Sequence, residues 1–299
     1  MAAIEALVCR DVGRKTAQLI EASAGGLAAA AEALAGARSV GLITGFFVPR
    51  GDVAAPETDG PVGTALLAGA LAACGVPTRI AVDTPCAAAA RAAVDAAGEA
   101  VPVDEVGVDD RAGLARLIDA WREAGVSHVL AIERCGRAAD GRPRNMRGVD
   151  VSPWTAPLED LFLAGPWTRL AVGDGGNEIG MGRLPSGLIA RTVPNGADIA
   201  CVVPCDHLVV AGVSNWGAYG LMAALAVVRP DWRGTIARFL TAERDLAVTR
   251  AIVERAGAVD GVTARREATV DGFGPDVHGP LIDDLARIAL SDRARPARS

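Results

Sequence analysis

The sequence predicts an α/β fold, a mostly parallel sheet with helices on both faces in a three-layer, Rossmann-like arrangement. Three observations carry this expectation. Short apolar runs alternate with Ala-rich or amphipathic segments along all 299 residues. Glycine closes most of the helical segments, and charged or glycine-rich stretches repeatedly follow an apolar run. Strands alternating with helices in this way line up in parallel through right-handed crossovers.

Taken in order, residues 14–35 are Ala-rich with Leu19, Ile20, Leu27 and Leu34 at roughly helical spacing, and 39–44 (SVGLIT) reads as a strand. The next stretch, GFFVPRGDVAAPETDGPVG, is expected to be a loop of nearly twenty residues. Loops that long inside compact domains are usually functional or disordered. A helix over 64–74 stops at Gly75, and 78–82 is a strand. A helix over 86–97 ends at Gly98, and a short strand follows at 101–103. Residues 110–124 form the clearest helix, because Leu114, Leu117, Ile118 and Trp121 fall on one face, with Asp109 or Asp110 as cap and Gly125 as terminator. Strands at 127–132 and 168–172 lead into polar loops, apolar runs occupy 199–203 and 207–211, and helices are expected at 214–228 and, last, at 241–256. Residues 1–290 are read as a single α/β domain, and 291–299 (SDRARPARS) as a polar, frayed tail.

Composition narrows the function. A 51% hydrophobic content supports a large core, and a net charge of −6 with no long basic run gives no attraction for nucleic acid. No uninterrupted apolar span reaches the roughly 18 to 20 residues of a membrane helix, and the first residues lack the pattern of a secretory signal, so no membrane partner and a cytoplasmic location are expected. Six dispersed cysteines are read mostly as buried small hydrophobes. Lys15 is the only lysine. A P-loop needs a lysine at the phosphates and pyridoxal phosphate needs one for its Schiff base; Lys15, in the opening segment, is expected to suit neither. No G-x-G-x-x-G opens a helix after the first strand, so no NAD is expected.

The segment Gly173 to Gly182, GDGGNEIGMG, joins Asp174, Asn177 and Glu178 to backbone that only glycine tolerates, at the end of a strand where α/β sheets bind ligands. Glu57, Thr58 and Asp59 precede Gly60-Pro61, where they either cap the next helix or point across the sheet edge toward Asp174 and Glu178. Four carboxylates gathered there require a cation, a shared proton or a positively charged substrate group. Glu133 and Arg134 end another strand, and the following loop holds Asn145 and Arg147, arginine being suited to a carboxylate or phosphate. Ser214 and Asn215 open a helix at the same edge and either cap it or face a ligand.

Together ETDGP at 57–61, NMRG at 145–148, GDGGNEIGMG at 173–182, AGVSNWGAYGL at 211–221 and GAVDGVT at 257–263 resemble the D-glutamate cyclase family, over most of the chain. Arg144 stands where that family commonly has an aromatic residue before NMRG. The resemblance implies a hydro-lyase that reversibly dehydrates D-glutamate to 5-oxo-D-proline, the α-amine attacking the γ-carboxyl carbon. Under it the expected catalytic residues are Asp59, Glu178 and Asp174. Glu57, Thr58, Arg134, Asn145, Arg147, Gly175, Gly176, Asn177, Ser214 and Asn215 would bind a small amino-acid substrate. Asp59 or Glu178 would handle the amine, Arg147 or Arg134 a substrate carboxylate, and the N–H groups around Gly175-Gly176 the oxyanion. A divalent cation, Mg or Mn, held by Glu57, Asp59, Asp174 and Glu178 could replace that last role. A homo-oligomer is compatible with the sequence. Two other readings remain open: a magnesium-dependent phosphatase of the haloacid dehalogenase type, whose loop GDGGNE superficially matches although no D-x-D ends an early strand, and a non-catalytic binder of an amino acid or nucleotide.

Overall fold

Along 40–44, 129–132 and 170–173 successive residues are buried whichever way they face, which is the pattern of a parallel sheet covered on both faces. The computed structural model describes residues 1–51 and 53–291. Its strands in chain order are β1 (Val40–Thr44), β2 (Phe47–Arg50), β3 (Val53–Pro56), β4 (Thr78–Asp83), β5 (Val103–Val106), β6 (His128–Ile132), β7 (Thr168–Gly173) and β8 (His207–Val210). Six of them form one sheet in the order β5-β4-β1-β6-β7-β8, each neighbouring pair parallel.

Leu42, Leu130, Leu170 and Val209 pack into one apolar layer with the helices Pro61–Ala73, Thr84–Ala97, Ser214–Val228 and Ala242–Ala256. Ile43, Val129, Ala171 and Leu208, one register position away, pack into the other layer with Leu114, Leu117 and Trp121 of the helix Arg111–Glu123. The expected three-layer α/β arrangement is therefore the one found. Asp110 caps the Arg111–Glu123 helix by accepting the Gly113 N–H at 2.7 Å.

The chain builds the sheet outward from β1 to β5, returns to place β6 on the other side of β1, and then builds outward again to β8. Connections leave β1 and β6 in opposite directions, and the crevice that opens at their carboxyl ends is where ligands bind in such sheets.

Several element boundaries differ from expectation. The stretch after β1 is not a bare loop, because β2 and β3 pair as an antiparallel hairpin within it. The single helix expected over 14–35 is two, Ala17–Ala22 and Gly26–Ala35, separated by a turn. The 199–203 run forms no strand, and Ala242–Ala256 is not the last helix: Pro275–Leu290 follows, with Pro280 inside it, where two prolines and a glycine masked a helical pattern. Of the tail predicted at 291–299, all but Ser291 lies outside the described residues. Among those described, no helix is long and apolar enough to cross a membrane.

Candidate active site

Two helix N-termini meet at the sheet edge and cap each other. Asp59 ends the ETD segment and accepts the N–H groups of Ser214 (2.9 Å) and Asn215 (2.8 Å), the first residues of helix Ser214–Val228, and that of Gly60 (3.0 Å). Asn215 in turn accepts the N–H groups of Gly60 (3.0 Å) and Gly63 (2.8 Å), the opening of helix Pro61–Ala73, and donates to the Thr58 carbonyl at 3.2 Å. These donors have no partner within their own helices, so the exchange satisfies both ends while holding an acid at a positive terminus. Gly60, at φ +94°, cannot be replaced: a Cβ there would stand 2.8 Å from the Glu133 Cβ. Thr58 donates its hydroxyl to the Thr269 carbonyl at 2.8 Å, away from the crevice.

Glu133 follows β6 directly, in a left-handed conformation at φ +44°, and accepts the Ser214 hydroxyl at 2.6 Å. Asp174 follows β7. Oxygens of Asp59, Glu133 and Asp174 all lie within 4.8 Å of one another, and all three residues are buried. The Asp174 Oδ1 pairs with Arg14 at 2.5 Å, whereas its Oδ2 is buried with no partner. Arg14 also pairs with Asp271. Arg14 arrives from a strap between the first two helices, shaped by Asp11, which accepts the Gly13 and Arg14 N–H groups at 3.0 and 2.8 Å.

Electrostatics follow from the burial of five acids beside one arginine. Burial and the neighbouring Asp271 push Asp59 up to about 8. Burial also drives Glu57 well above the carboxylate range, helped by Asp271 and Asp59, and drives Glu133 up with the help of Asp174 and Glu178. Asp174 rises through burial as well, although Arg14 opposes the shift. Burial opposes the charge on Arg14, but Asp174 and Asp271 hold it protonated beyond its usual range. Such a cluster exists with shared protons or with an added cation.

Glu178 does something different. Its carboxylate accepts the N–H groups of Asp174 (2.8 Å), Gly175 (2.5 Å) and Gly176 (2.7 Å), so it folds the glycine loop. Those two glycine N–H groups, expected at an oxyanion, are directed at Glu178, and neither Glu178 nor these glycines line the cavity. Gly176, at φ +105°, permits this turn. The cation set expected from the sequence thus gathers differently: Glu133 joins Asp59 and Asp174, and Glu178 is turned away from them. An oxygen-only donor set with one bare, buried Asp174 oxygen fits a hard divalent cation such as Mg or Mn.

The other expected residues divide in the same way. Asn177 and Asn145 line the cavity; Asn177 donates to the Arg144 carbonyl at 2.8 Å, and Asn145 accepts the Arg147 and Val149 N–H groups at 3.0 and 3.1 Å, closing the NMRG turn. Glu57 and Arg147 also line the cavity. Arg134 does not: it is buried against Asp83 at 2.6 Å and donates to the carbonyls of Gly45 and Ala156. Asp83 ends β4, and its Oδ2 meets both Arg134 and the Ala156 N–H at 3.2 Å. Arg144 pairs with Asp140 at 2.6 Å, outside the cavity wall. Asp260 of GAVDGVT accepts N–H groups from Val262, Thr263 and Gly272, which shapes the turn carrying Asp271.

Three charged wall residues were given no role by the sequence. Arg14 and Asp271 had no signal beyond being charged. Lys15, expected to suit neither a P-loop nor a Schiff base, lines the cavity next to Arg14. The cavity encloses ≈ 310 Å³, with acids at its floor and Phe46, Val48, Met146, Pro194 and Val262 on its walls.

The profile of the family described as "D-glutamate cyclase-like, C-terminal" matches residues 4–286. The human protein "D-glutamate cyclase, mitochondrial" is 46% identical over 105 residues, which is 34% of this chain and 17% of that protein. The match therefore spans about one sixth of the relative's length. With the family profile covering nearly all of its residues, the chain belongs to the D-glutamate cyclase-like family.

Proposed function

We propose that this protein is a hydro-lyase that reversibly closes D-glutamate to 5-oxo-D-proline. One observation carries the reading: at the sheet's switch point Glu57, Glu133, Asp174 and Asp271 line a cavity beside Arg14, Asp59 lies buried within reach of Glu133 and Asp174, and burial raises Glu57, Asp59, Glu133 and Asp174 above the carboxylate range.

The reaction's proton balance explains the fit. The α-ammonium loses two protons as its nitrogen bonds to the γ-carbon, and the expelled oxygen gains two as it leaves as water. No net proton is consumed, so the site needs a relay. Carboxylates that share protons at close range are such a relay, and a group poised near pH 8 both gives and takes a proton efficiently. The excess of acids also draws the substrate ammonium to the floor, where the bare Asp174 Oδ2 supplies an acceptor. Arg14 is the cation beside that acceptor and holds the α-carboxylate. Asp59 and Glu133 move the protons; Glu178 and Asn215 hold the loops that carry them. Amine and γ-carboxyl share one molecule, so part of the advantage of proximity is built in. A divalent cation held by Asp59, Glu133 and Asp174 would supply Lewis acidity toward the γ-carboxyl.

Mass-resolved incubation with D-glutamate and separately with L-glutamate, with and without a chelator, tests the reading. Loss of water from the D-isomer alone is expected; no loss from either isomer by folded protein would overturn it. Chelator sensitivity would assign a cation to the acid cluster.

A further inference from the structure

Resting on that reading, we propose that the site also takes γ-D-glutamyl amino acids, closing the same ring while expelling the distal amino acid in place of water. The cavity is larger than one small amino acid requires: ≈ 310 Å³ lies at the lower end of pockets that enclose drug-sized ligands. Its polar floor accounts for the ammonium and α-carboxylate through Asp174 and Arg14. Above the floor the walls are apolar, with Phe46, Val48, Met146 and Val262, and offer an aliphatic linker a surface without competing hydrogen bonds.

Beyond these walls two exposed cations line the cavity, Lys15 and Arg147. Neither side chain has an acceptor among the described residues. Lys15 is held at φ +64°, a conformation unusual for lysine, in the strap that also delivers Arg14. Burial and the proximity of Arg50 work against the charge of Arg147, and a bound anion would relieve both. Two unpaired cations above an acidic floor select a ligand with an ammonium at one end and an anion at the other. A carboxylate beyond the γ-carbon answers that description.

The chemistry balances without a co-reactant. The α-nitrogen bonds to the γ-carbonyl carbon and the γ-amide C–N bond breaks. The two protons lost by the α-ammonium are the two gained by the departing nitrogen, which leaves as an ammonium. An amide carbonyl is also a better electrophile than a carboxylate.

The test compares γ-D-glutamylglycine, D-glutamine, which lacks the distal carboxylate, and D-glutamate, with glycine and 5-oxo-D-proline measured by mass spectrometry. Glycine and 5-oxo-D-proline are expected in equal amounts, with kcat/KM for the dipeptide at least tenfold above that for D-glutamine. In Lys15→Ala, KM for the dipeptide is expected to rise at least tenfold with little change in kcat. Turnover of D-glutamate without the dipeptide would overturn this inference and leave the cyclase reading standing. Turnover of the dipeptide alone would support it and overturn the dehydration reading. An unchanged KM in Lys15→Ala would overturn the assignment of the cationic rim.

Discussion

Glu133 and Arg134 are neighbours in sequence and belong to two opposite kinds of buried charge. Arg134 is 1% exposed and faces one acid, Asp83, at 2.6 Å, and its Nη groups also donate to two carbonyls. That arrangement is one cation against one anion, and it ties the ends of β1, β4 and β6 together. Glu133 points to the other side, into a group with Glu57, Asp59, Asp174 and Asp271 that holds only Arg14 for balance. Glu133 sits in a left-handed bend just past β6, so one step along the chain separates a balanced ion pair from an acidic excess. Glu133 and Arg134 are themselves both buried. What distinguishes scaffold from chemistry is whether the charges cancel inside the protein or require something from outside.

The balanced pair should break the fold first. Arg134→Ala leaves Asp83 buried and uncompensated, and stability should fall by about 3–5 kcal/mol. A shift of the denaturant midpoint measures it, and a midpoint within error of wild type would show that the pair holds little. On the acidic side the ranking reverses. Asp59→Asn should lower turnover of D-glutamate by about 10²- to 10⁴-fold. Stability at pH 8 should fall by about 1–3 kcal/mol, because both Asp59 oxygens accept helix N–H groups and the amide NH2 would face one of those donors. Thermal melting beside the rate assay separates the two effects.

The smallest effect is a pH dependence whose sign the acids determine. Asp59 goes from about 3.8 unfolded to about 8 folded, so between those values the folded chain keeps a proton that the unfolded chain has released. Its contribution is full below about 4 and is lost as pH rises through about 8. Glu57, Glu133 and Asp174 shift in the same direction. The melting temperature should therefore fall by several degrees between pH 6 and pH 9, and the slope should flatten in Asp59→Asn. A flat wild-type profile would mean that the cluster is charged and compensated throughout.

Much of the fold was legible because hydrophobic period is a local property. Residues 110–124 declared a helix through one apolar stripe, and 168–172 declared a strand through a short apolar run ending at glycine. The helix Pro275–Leu290 escaped because Pro275, Pro280 and Gly279 read as breakers, although packing of Leu281, Ile282 and Leu285 outweighs them. The β2–β3 hairpin escaped because Pro49 and Pro56 are poor strand residues that an isolated two-stranded edge tolerates.

At the site, the sequence by itself determined that the polar motifs ETD, NMRG and GDGGNE would follow apolar strands at one sheet edge. Those features depend on spacing along the chain. It did not determine which acid turns inward. Glu178 and Glu133 carry the same carboxyl group on the same kind of strand-end loop; the turn at Gly176 aims three N–H groups at Glu178, whereas Glu133 meets Ser214 and the other acids. Arg14 reaches Asp174 from 160 positions earlier in the chain, because the strap that carries it packs so closely that a Cβ on Gly212 would stand 2.5 Å from the Arg10 carbonyl oxygen. Only the tertiary structure decided these partnerships, since charges interact through space at distances that depend on packing, and one sheet edge draws on segments from both ends of the sequence.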